Sequence, residues 1–173
     1  MADIFSKKKR SQIMSKIRSK NTSPERRLCA IVAKILGKAC KIRRNVRKLP
    51  GYPDVVIPSL KLAILADGCF YHCCPWHGHI PHSNRAYWVP KLQKNRKRDE
   101  IERRKLRAAG FYVWKFWEHD LKGNKLLQTY TVLVKKLKRH QARLGLNSCD
   151  KVVSEYTAAA NTSRSREHRE SRS

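Results

Sequence analysis

The chain has 173 residues, with 40 Lys and Arg against 13 Asp and Glu, and its formal net charge is +27. The first 149 residues hold +26 of that charge, because 35 basic and nine acidic groups precede Asp150. So basic a chain favours a polyanion such as nucleic acid, and it lacks the long apolar stretch or basic amphipathic anchor of a membrane protein. Residues 1–20 do not resemble a secretory signal, so the six cysteines are expected to be reduced thiols in a cytosol, some bound to metal.

Residues 1–20 form a basic arm in which a short helix is predicted. Its helical spacing is carried by Ile13, Met14 and Ile17. The next helix is predicted to begin at Ser23-Pro24-Glu25, with Ser23 as the N-cap and Glu25 near the positive end of the helix dipole. Gly37 is expected to end this helix. Its apolar face comprises Leu28, Ile31, Val32, Ile35 and Leu36.

Three strands are predicted between residues 41 and 66. The first spans Lys41–Val46, and Leu49–Pro53 then forms a turn, because two prolines and a glycine do not fit inside a ladder. The apolar, β-branched runs Asp54–Ile57 and Lys61–Ala66 predict two further strands, joined by a tight turn at Pro58-Ser59.

A long basic helix is predicted over Tyr87–Ala109, followed by a strand over Phe111–Trp117 and a second basic helix over Lys125–Leu144. The residues expected to face inward from the last helix are Leu126, Leu127, Val132, Leu133 and Leu137. The order of elements predicts an α/β fold with a mixed central sheet flanked by helices. We therefore divide the chain into an arm (1–20), a central domain (21–145) and a tail (146–173) that is expected to be disordered.

Two carboxylates are expected to meet at one edge of this sheet. Asp54 begins one predicted strand and Asp67 follows the next, so a hairpin would bring them together. Paired carboxylates can bind Mg²⁺, which prefers oxygen ligands and can activate water next to a phosphodiester. The alternative is that Asp54 only caps a turn. Nine acids in so basic a domain make the catalytic interpretation about as strong as the structural one.

A zinc site is indicated by the cluster Cys69-x4-Cys74-x2-His77, which supplies three ligands at loop spacing. His119, just after the Phe111–Trp117 strand, is the preferred fourth ligand. The competing candidates are Cys73, His79 and His82. Four protein ligands would make a closed, structural site, whereas the alternative interpretation is a set of buried free thiols.

The same loop carries an imidazole and aromatic rings that the zinc site does not require. His72 would crowd a tetrahedral site, so it is predicted to remain free for acid–base chemistry near neutral pH. Phe70, Tyr71 and Trp88 lie among basic residues, where rings can wedge between nucleic-acid bases or stack on them. Core packing is the alternative for these rings.

In combination, these motifs resemble those of the very-short-patch-repair mismatch endonucleases of bacteria, which are relatives of the type II restriction enzymes. The resemblance covers roughly residues 10–144. Its matching segments are Arg10-Ser-x-x-Met-x-x-Ile, Asn21-Thr-x-Pro-Glu25, Leu49-Pro-Gly-x-Pro-Asp54, Asp67-Gly-Cys-Phe-x-His72, Tyr87-Trp88, Asn95-Arg-x-Arg-Asp99 and Trp117-Glu118. It implies a restriction-endonuclease-like fold with a structural zinc loop.

The resemblance also implies a catalytic function and a set of site residues. Such an enzyme is a Mg²⁺-dependent nickase that cuts 5′ of the thymine in a T·G mismatch left by deamination of 5-methylcytosine. Asp54 and the carbonyl of Ala66 would bind the metal, and Glu25 would bind metal-linked water. His72 would be the general base or acid, and Asp99 would orient it. Asp67, where some members carry His, completes the catalytic set.

The remaining implications concern DNA contacts, zinc and partners. Phe70, Tyr71 and Trp88 would intercalate beside the mismatch, with Tyr71 in place of a more usual Trp. The zinc ligands would be Cys69, Cys74, His77 and His119, the last in place of a Cys. The expected protein is a bacterial, cytoplasmic, nucleoid-associated monomer that binds double-stranded DNA containing T·G and is functionally linked to a cytosine methyltransferase and a repair polymerase. The alternative function is a zinc-stabilised nucleic-acid-binding protein without catalysis.

Overall fold

The structure, a computed structural model, describes residues 7–15 and 20–146. Helix α1, Lys7–Ser15, confirms the short helix expected in the basic arm. Ile17, which was expected to extend its apolar spacing, and the expected disordered tail beyond residue 146 lie outside the described residues. Within those residues, no helix is both long enough and apolar enough to cross a membrane.

Helix α2 spans Ser23–Leu36, so it begins at the residue that was predicted to be its N-cap. The N-cap is Thr22, which has an extended backbone, and Ser23 is already helical. Thr22 and Glu25 have the spacing of a capping box, and the Thr22 hydroxyl donates a 2.8 Å hydrogen bond to the Glu25 carboxylate. The prediction of Ser23 as N-cap was therefore wrong by one position. Gly37 ends the helix as predicted, and the five predicted apolar residues, Leu28, Ile31, Val32, Ile35 and Leu36, are buried.

The sheet has four strands in the order β1-β2-β3-β4. They span Arg43–Arg44, Val55–Ile57, Leu62–Asp67 and Tyr112–Trp117. The pairs β1–β2 and β2–β3 are antiparallel, whereas β3 and β4 are parallel, so the predicted mixed sheet within an α/β fold is confirmed.

Strand β1 is much shorter than the predicted Lys41–Val46 strand. Its partner β2 has only three residues. Asn45 and Val46 still donate hydrogen bonds to the carbonyls of Asp54 and Pro53, but Asn45 is left-handed with φ +47°, so regular strand geometry ends at Arg44. The predicted tight turn at Pro58-Ser59 is one residue longer in the structure. Pro58–Leu60 forms a single 3-10 turn that includes the buried Leu60, and the amide of Lys61 donates a 3.0 Å hydrogen bond to the carbonyl of Pro58.

Two long helices complete the domain: α3 spans Arg85–Ala108 and α4 spans Lys125–Arg143. Leu126 packs against the core and Leu133 and Leu137 are buried, as predicted, but Leu127 is 72 % exposed and Val132 is 47 % exposed. Burial instead follows the stripe Thr129, Leu133, Val134, Leu137, His140 and Gln141. Leu127 and Val132 lie off that stripe of the helix, so apolar character alone misplaced them.

The parallel pairing of β3 with β4 determines where the site can form. The last residues of the two strands are direct partners, Asp67 opposite Trp117. The loop after β3 and the short 3-10 helix Glu118–Leu121 after β4 therefore start side by side. Residues distant in sequence meet at this edge, which is where side chains commonly gather in sheets with parallel strands.

Candidate functional site

The two predicted carboxylates, Asp54 and Asp67, do lie at one edge of the β2–β3 hairpin. Asp54 precedes β2, and its Oδ2 atom accepts a 2.8 Å hydrogen bond from the backbone amide of Ala66. The pKa of Asp54 is raised to about 7. Burial is the largest cause, the charges of Glu25 and Asp67 act in the same direction, and the hydrogen bond from Ala66 opposes them. A cation at this position would offset the free-energy cost of a buried negative charge on Asp54 and its repulsion from the other two carboxylates.

Glu25 brings a third carboxylate toward this edge from the first turn of α2. Its Oε1 atom accepts the hydrogen bond from Thr22. In the part of the chain that the structure describes, its Oε2 atom is buried and has no hydrogen-bond partner. A buried carboxylate oxygen is costly without a partner, so the group of Glu25 and Asp54 fits a site that takes up a cation or its bound water.

His72 and Asp99 form the shortest polar contact at the site, with 2.5 Å between His72 Nδ1 and Asp99 Oδ2. Burial alone would lower the pKa of His72, but the hydrogen bond that His72 donates to Asp99 and the charges of Asp67 and Asp99 outweigh it, so that pKa is raised. Burial alone would raise the pKa of Asp99, but His72 and Arg98 outweigh it, so that pKa is lowered. The contact with Asp99 therefore fixes the orientation of the His72 ring and leaves the Nε2 atom of His72 available for proton transfer.

Asp67 is not a free carboxylate. It is only 5 % exposed, and its Oδ2 atom lies 3.0 Å from the Nη1 atom of Arg103. Arg103 was not among the predicted site residues. The sequence could have indicated that Arg103 lies at the site, because it follows Asp99 by four residues and helical residues at that spacing share one face of α3.

A cavity of about 690 Å³ opens beside these groups, between the turn before β2 and helix α3. Asp67, His72 and Asp99 line one part of it. Its other lining residues are Arg47, Lys48, Leu49, Pro50, Gly51, Tyr52, Leu65, Arg98, Glu102, Arg103, Lys105 and Leu106. The predicted acid–base residues thus face an open, largely basic space that could admit a nucleic-acid backbone.

A second cluster can hold a metal ion. One donor atom from each of Cys69, Cys74, His77 and His119 lies within 4.8 Å of every other. The Sγ atom of Cys69 is 3.2 Å from His119 Nδ1, and the Sγ atom of Cys74 is 3.7 Å from both His77 Nδ1 and His119 Nδ1. These separations match the edges of a small tetrahedron of sulfur and nitrogen ligands. The structure groups His119 with the three loop residues and leaves Cys73 outside the set.

The surroundings of this cluster orient its members. Asp120 Oδ1 lies 3.2 Å from the Nε2 atom of His119, which leaves Nδ1 to face the cluster. A Cβ atom on Gly78 would lie 2.5 Å from the carbonyl oxygen of Cys74, so only glycine permits this close turn. Glu118 accepts a 3.2 Å hydrogen bond from the amide of Cys69 and also pairs with Lys122.

The predicted DNA-contacting rings form one cluster beside the loop. Phe70 lies 5.0 Å from both Tyr71 and Trp88, measured between ring centroids, in edge-to-face contacts. Trp88 is only 7 % exposed, whereas Phe70 and Tyr71 are partly exposed. Asn95 donates a 3.2 Å hydrogen bond to the carbonyl of Tyr71 and ties the loop to α3. Their contact with bases stays a prediction.

Comparison with known proteins identifies relatives of the chain. A family model described as DNA mismatch endonuclease Vsr matches residues 2–81. The chain is 40 % identical over 126 residues to the type II nicking enzyme V.NmeAIP of Neisseria meningitidis, covering 71 % of this chain and 86 % of that protein. It is 36 % identical over 127 residues to V.XorIIP of Xanthomonas oryzae, covering 70 % and 88 %. It is 32 % identical over 132 residues to the DNA mismatch endonuclease Vsr of Escherichia coli, covering 73 % and 80 %. The chain belongs to the Vsr family of DNA endonucleases.

Proposed function

We propose that the protein nicks one strand of duplex DNA 5′ of the thymine in a T·G mismatch, and so begins the repair of deaminated 5-methylcytosine. The observation that supports this most directly is the grouping of Asp54 with the unpartnered Oε2 atom of Glu25, close enough to the hydrogen-bonded His72–Asp99 pair for the charge of His72 to act on Asp54. Carboxylates for a metal and a histidine for proton transfer are the groups that phosphodiester hydrolysis requires.

The proposed catalytic metal is Mg²⁺. The carboxylate of Asp54 and the carbonyl of Ala66 would hold it, and Glu25 would hold one of its waters, because this ion prefers oxygen ligands and retains several waters. When bound, it supplies charge stabilisation at the phosphate. A divalent cation near Asp54 also favours the ionised carboxylate, whose pKa burial otherwise raises to about 7.

His72 is the proposed general base or acid. Its Nδ1 atom lies 2.5 Å from Asp99, so the Nε2 atom is the one that would accept a proton from attacking water or give one to the leaving oxygen. Asp99 acts through His72 by fixing the ring and favouring its protonated form. Asp67 completes the proposed catalytic set, and its ion pair with Arg103 suggests that it acts mainly through its charge on His72 and Asp54.

The proposed metal of the second cluster is Zn²⁺. Two thiolates and two imidazoles are common ligands of structural zinc, and four protein ligands leave no position for substrate. The ion would brace the loop that carries Phe70, Tyr71 and His72. On this basis, the partly exposed rings of Phe70 and Tyr71 would form a wedge that separates bases next to the mismatch, with the buried Trp88 packed against Phe70 as its support.

We propose three further features together with this function. They comprise a restriction-endonuclease-like fold, the division into an arm (1–20), a central domain (21–145) and a tail (146–173), and a monomeric state. The functional link to a cytosine methyltransferase and a repair polymerase follows from the lesion itself, since methylation creates its precursor and nicking exposes an end for resynthesis.

A strand-specific nicking assay tests the proposal. Duplexes that contain T·G, other mismatches or no mismatch would be incubated with the protein at a range of Mg²⁺ concentrations. We expect cleavage of the thymine-containing strand in T·G duplexes, its loss in Asp54→Ala with DNA binding retained, and normal rates in the control Glu100→Ala, which removes an exposed carboxylate of α3. Full activity of Asp54→Ala would contradict the mechanism. Salt-sensitive binding without nicking under any divalent metal would support the non-catalytic alternative.

A further inference from the structure

The turn that precedes Asp54 holds an aromatic ring in an unfavourable position. Tyr52 is 66 % exposed, and its backbone is left-handed, with φ +47°. A bulky side chain is rare in that conformation, and such strain concentrates at functional sites. Burial in the core does not explain the choice of residue, because two-thirds of the side chain is accessible to solvent.

The turn is firmly held, so the ring has a defined place. The amide of Tyr52 donates a 3.2 Å hydrogen bond to the carbonyl of Leu49, and Pro53 after it is buried. Gly51 packs so closely on α3 that a Cβ atom would lie 3.1 Å from the Cβ of Glu102. Tyr52 therefore lines the cavity that His72 also lines.

The cavity that Tyr52 lines is also lined by five basic residues, two of which have no carboxylate partner among the described residues. Arg98, Arg103 and Lys105 line the same cavity, but each is paired with a carboxylate. Arg47 and Lys48 are exposed, and neither forms an ion pair with any residue that the structure describes. Two free cations beside an exposed ring match a sugar-phosphate backbone, in which charged and apolar surfaces alternate.

We propose that Arg47, Lys48 and Tyr52 bind the DNA strand next to the bond that is cut. The two cations would contact backbone phosphates, and the tyrosine ring would pack on the adjoining deoxyribose. This contact rests on the proposed function, which places the scissile phosphate between Asp54 and His72. Phe70, Tyr71 and Trp88 do not line this cavity, so the contact would be additional to theirs.

Binding measurements without divalent metal separate the two parts of this contact. Affinity for a short duplex would be followed by fluorescence anisotropy over a range of salt concentrations. In the double variant Arg47→Gln/Lys48→Gln, we expect the slope of log K against log salt to fall by about 1.8, since each lost phosphate contact removes about 0.9. In Tyr52→Asn, we expect about fivefold to tenfold weaker binding at every salt concentration with an unchanged slope, and Tyr52→Phe should bind like the parent chain.

Lys61 provides a matched control for the strained backbone. It is exposed and left-handed with φ +45°, but it lies at the opposite end of the β2–β3 hairpin from Asp54. Asparagine tolerates this conformation well, so Tyr52→Asn and Lys61→Asn should each melt at or above the temperature of the parent chain. Only Tyr52→Asn should lose affinity. Tyr52→Gly provides a second ring deletion if the asparagine variant folds poorly.

Three results would overturn the contact: parental affinity in both Tyr52→Asn and Tyr52→Gly, an unchanged salt slope in the double variant, or equal losses of affinity in Tyr52→Asn and Lys61→Asn. Because these readouts need neither metal nor cleavage, they are independent of the nicking assay. A chain that nicks T·G duplexes but gives any of these results would keep its proposed function and lose only this contact. A chain that never nicks would lose the proposed function, whatever the binding data show.

Discussion

The imidazole of His72 and the carboxylate of Asp99 are 2.5 Å apart although 27 positions separate them in the chain. His72 lies in the loop after β3 and Asp99 lies in the middle of α3, so the contact exists only when the loop and the helix are both in place. The charge of Asp99 helps to raise the pKa of His72, and this coupling can be measured.

The first prediction concerns the pH dependence of cleavage in Asp99→Asn. Loss of the carboxylate should lower the pKa of His72, because a hydrogen bond and a charge that favour the imidazolium disappear. If His72 acts as the base, the rising limb of the nicking rate should move to lower pH and the maximal rate should fall. The measurement is single-turnover nicking between pH 5 and 9. An unchanged limb with a reduced rate would show that Asp99 does not act through His72.

The first prediction extends to stability, because the His72–Asp99 pair should make the free energy of unfolding depend on pH. The pKa of His72 is raised above 6.5, so the stabilisation it provides is complete below pH 6.5 and disappears as the pH rises through the folded-state value. The pKa of Asp99 is lowered below 3.8, so its contribution is present above pH 3.8 and disappears in stronger acid. Urea denaturation of His72→Gln should therefore show its largest loss of stability near pH 5–6 and a smaller one at pH 9.

The second prediction concerns Asp54 without metal. A carboxyl group whose pKa rises from 3.8 to about 7 on folding stabilises the folded state below pH 3.8, and this contribution is lost as the pH rises through 7. Between pH 5 and 8, the parent chain should lose on the order of 2–4 kcal/mol more stability than Asp54→Asn. Mg²⁺ should then raise the melting temperature of the parent chain at pH 8 and have little effect on Asp54→Asn. Equal Mg²⁺ responses would place the ion elsewhere.

The third prediction uses two neighbouring cysteines. Cys74→Ser should lose the roughly one equivalent of zinc expected in the purified protein, because Cys74 supplies one of the four grouped donor atoms. Cys73→Ser is the matched control and should keep its zinc, because the Cys73 sulfur lies 3.9 Å from the carbonyl of Leu92 and outside the cluster. His119→Cys should also retain the metal, since thiolate replaces imidazole readily. Equal zinc contents in Cys74→Ser and Cys73→Ser would refute the ligand set.

The fourth prediction concerns the buried ion pair of Asp67 and Arg103. Arg103→Met would leave Asp67, which is 5 % exposed, without its cation and should cost roughly 3 kcal/mol of stability. The double variant Asp67→Asn/Arg103→Met should recover part of that loss. The control Lys105→Met breaks a more exposed pair with Glu102 and should cost less than about 1 kcal/mol. Similar losses in the two single variants would mean that the Asp67–Arg103 pair stabilises the fold no more than an exposed pair does.

Sequence patterns predicted the elements whose signals are local. The apolar face of α2 and the β2–β3 hairpin carry such signals, and so do the spacings of Cys69, Cys74 and His77. Apart from the one-residue error at the N-cap of α2, the larger errors arose where a partner element decides the outcome. The length of β1 depends on a short neighbour, and the exposure of Leu127 depends on which stripe of α4 meets the sheet.

The site shows the same division between local and distant information. The positions of Asp54 and His72 follow from short motifs, and the resemblance to a known family supplied their expected functions. The pairing of Asp67 with Arg103 and the unpartnered oxygen of Glu25 arise from three-dimensional packing, and no pattern within one segment contains them.

The donor atoms of Cys69 and His119 meet across 50 positions of the chain, and that interval contains all of α3. A metal held by both residues would act as a reversible covalent-like cross-link that encloses His72, Asp99 and Arg103 in one ring of polypeptide. Because the unfolded chain rarely holds such a site, the free energy of metal binding would add to the stability of the folded ring. The supply of that metal would then help to decide how long the His72–Asp99 pair survives thermal fluctuation.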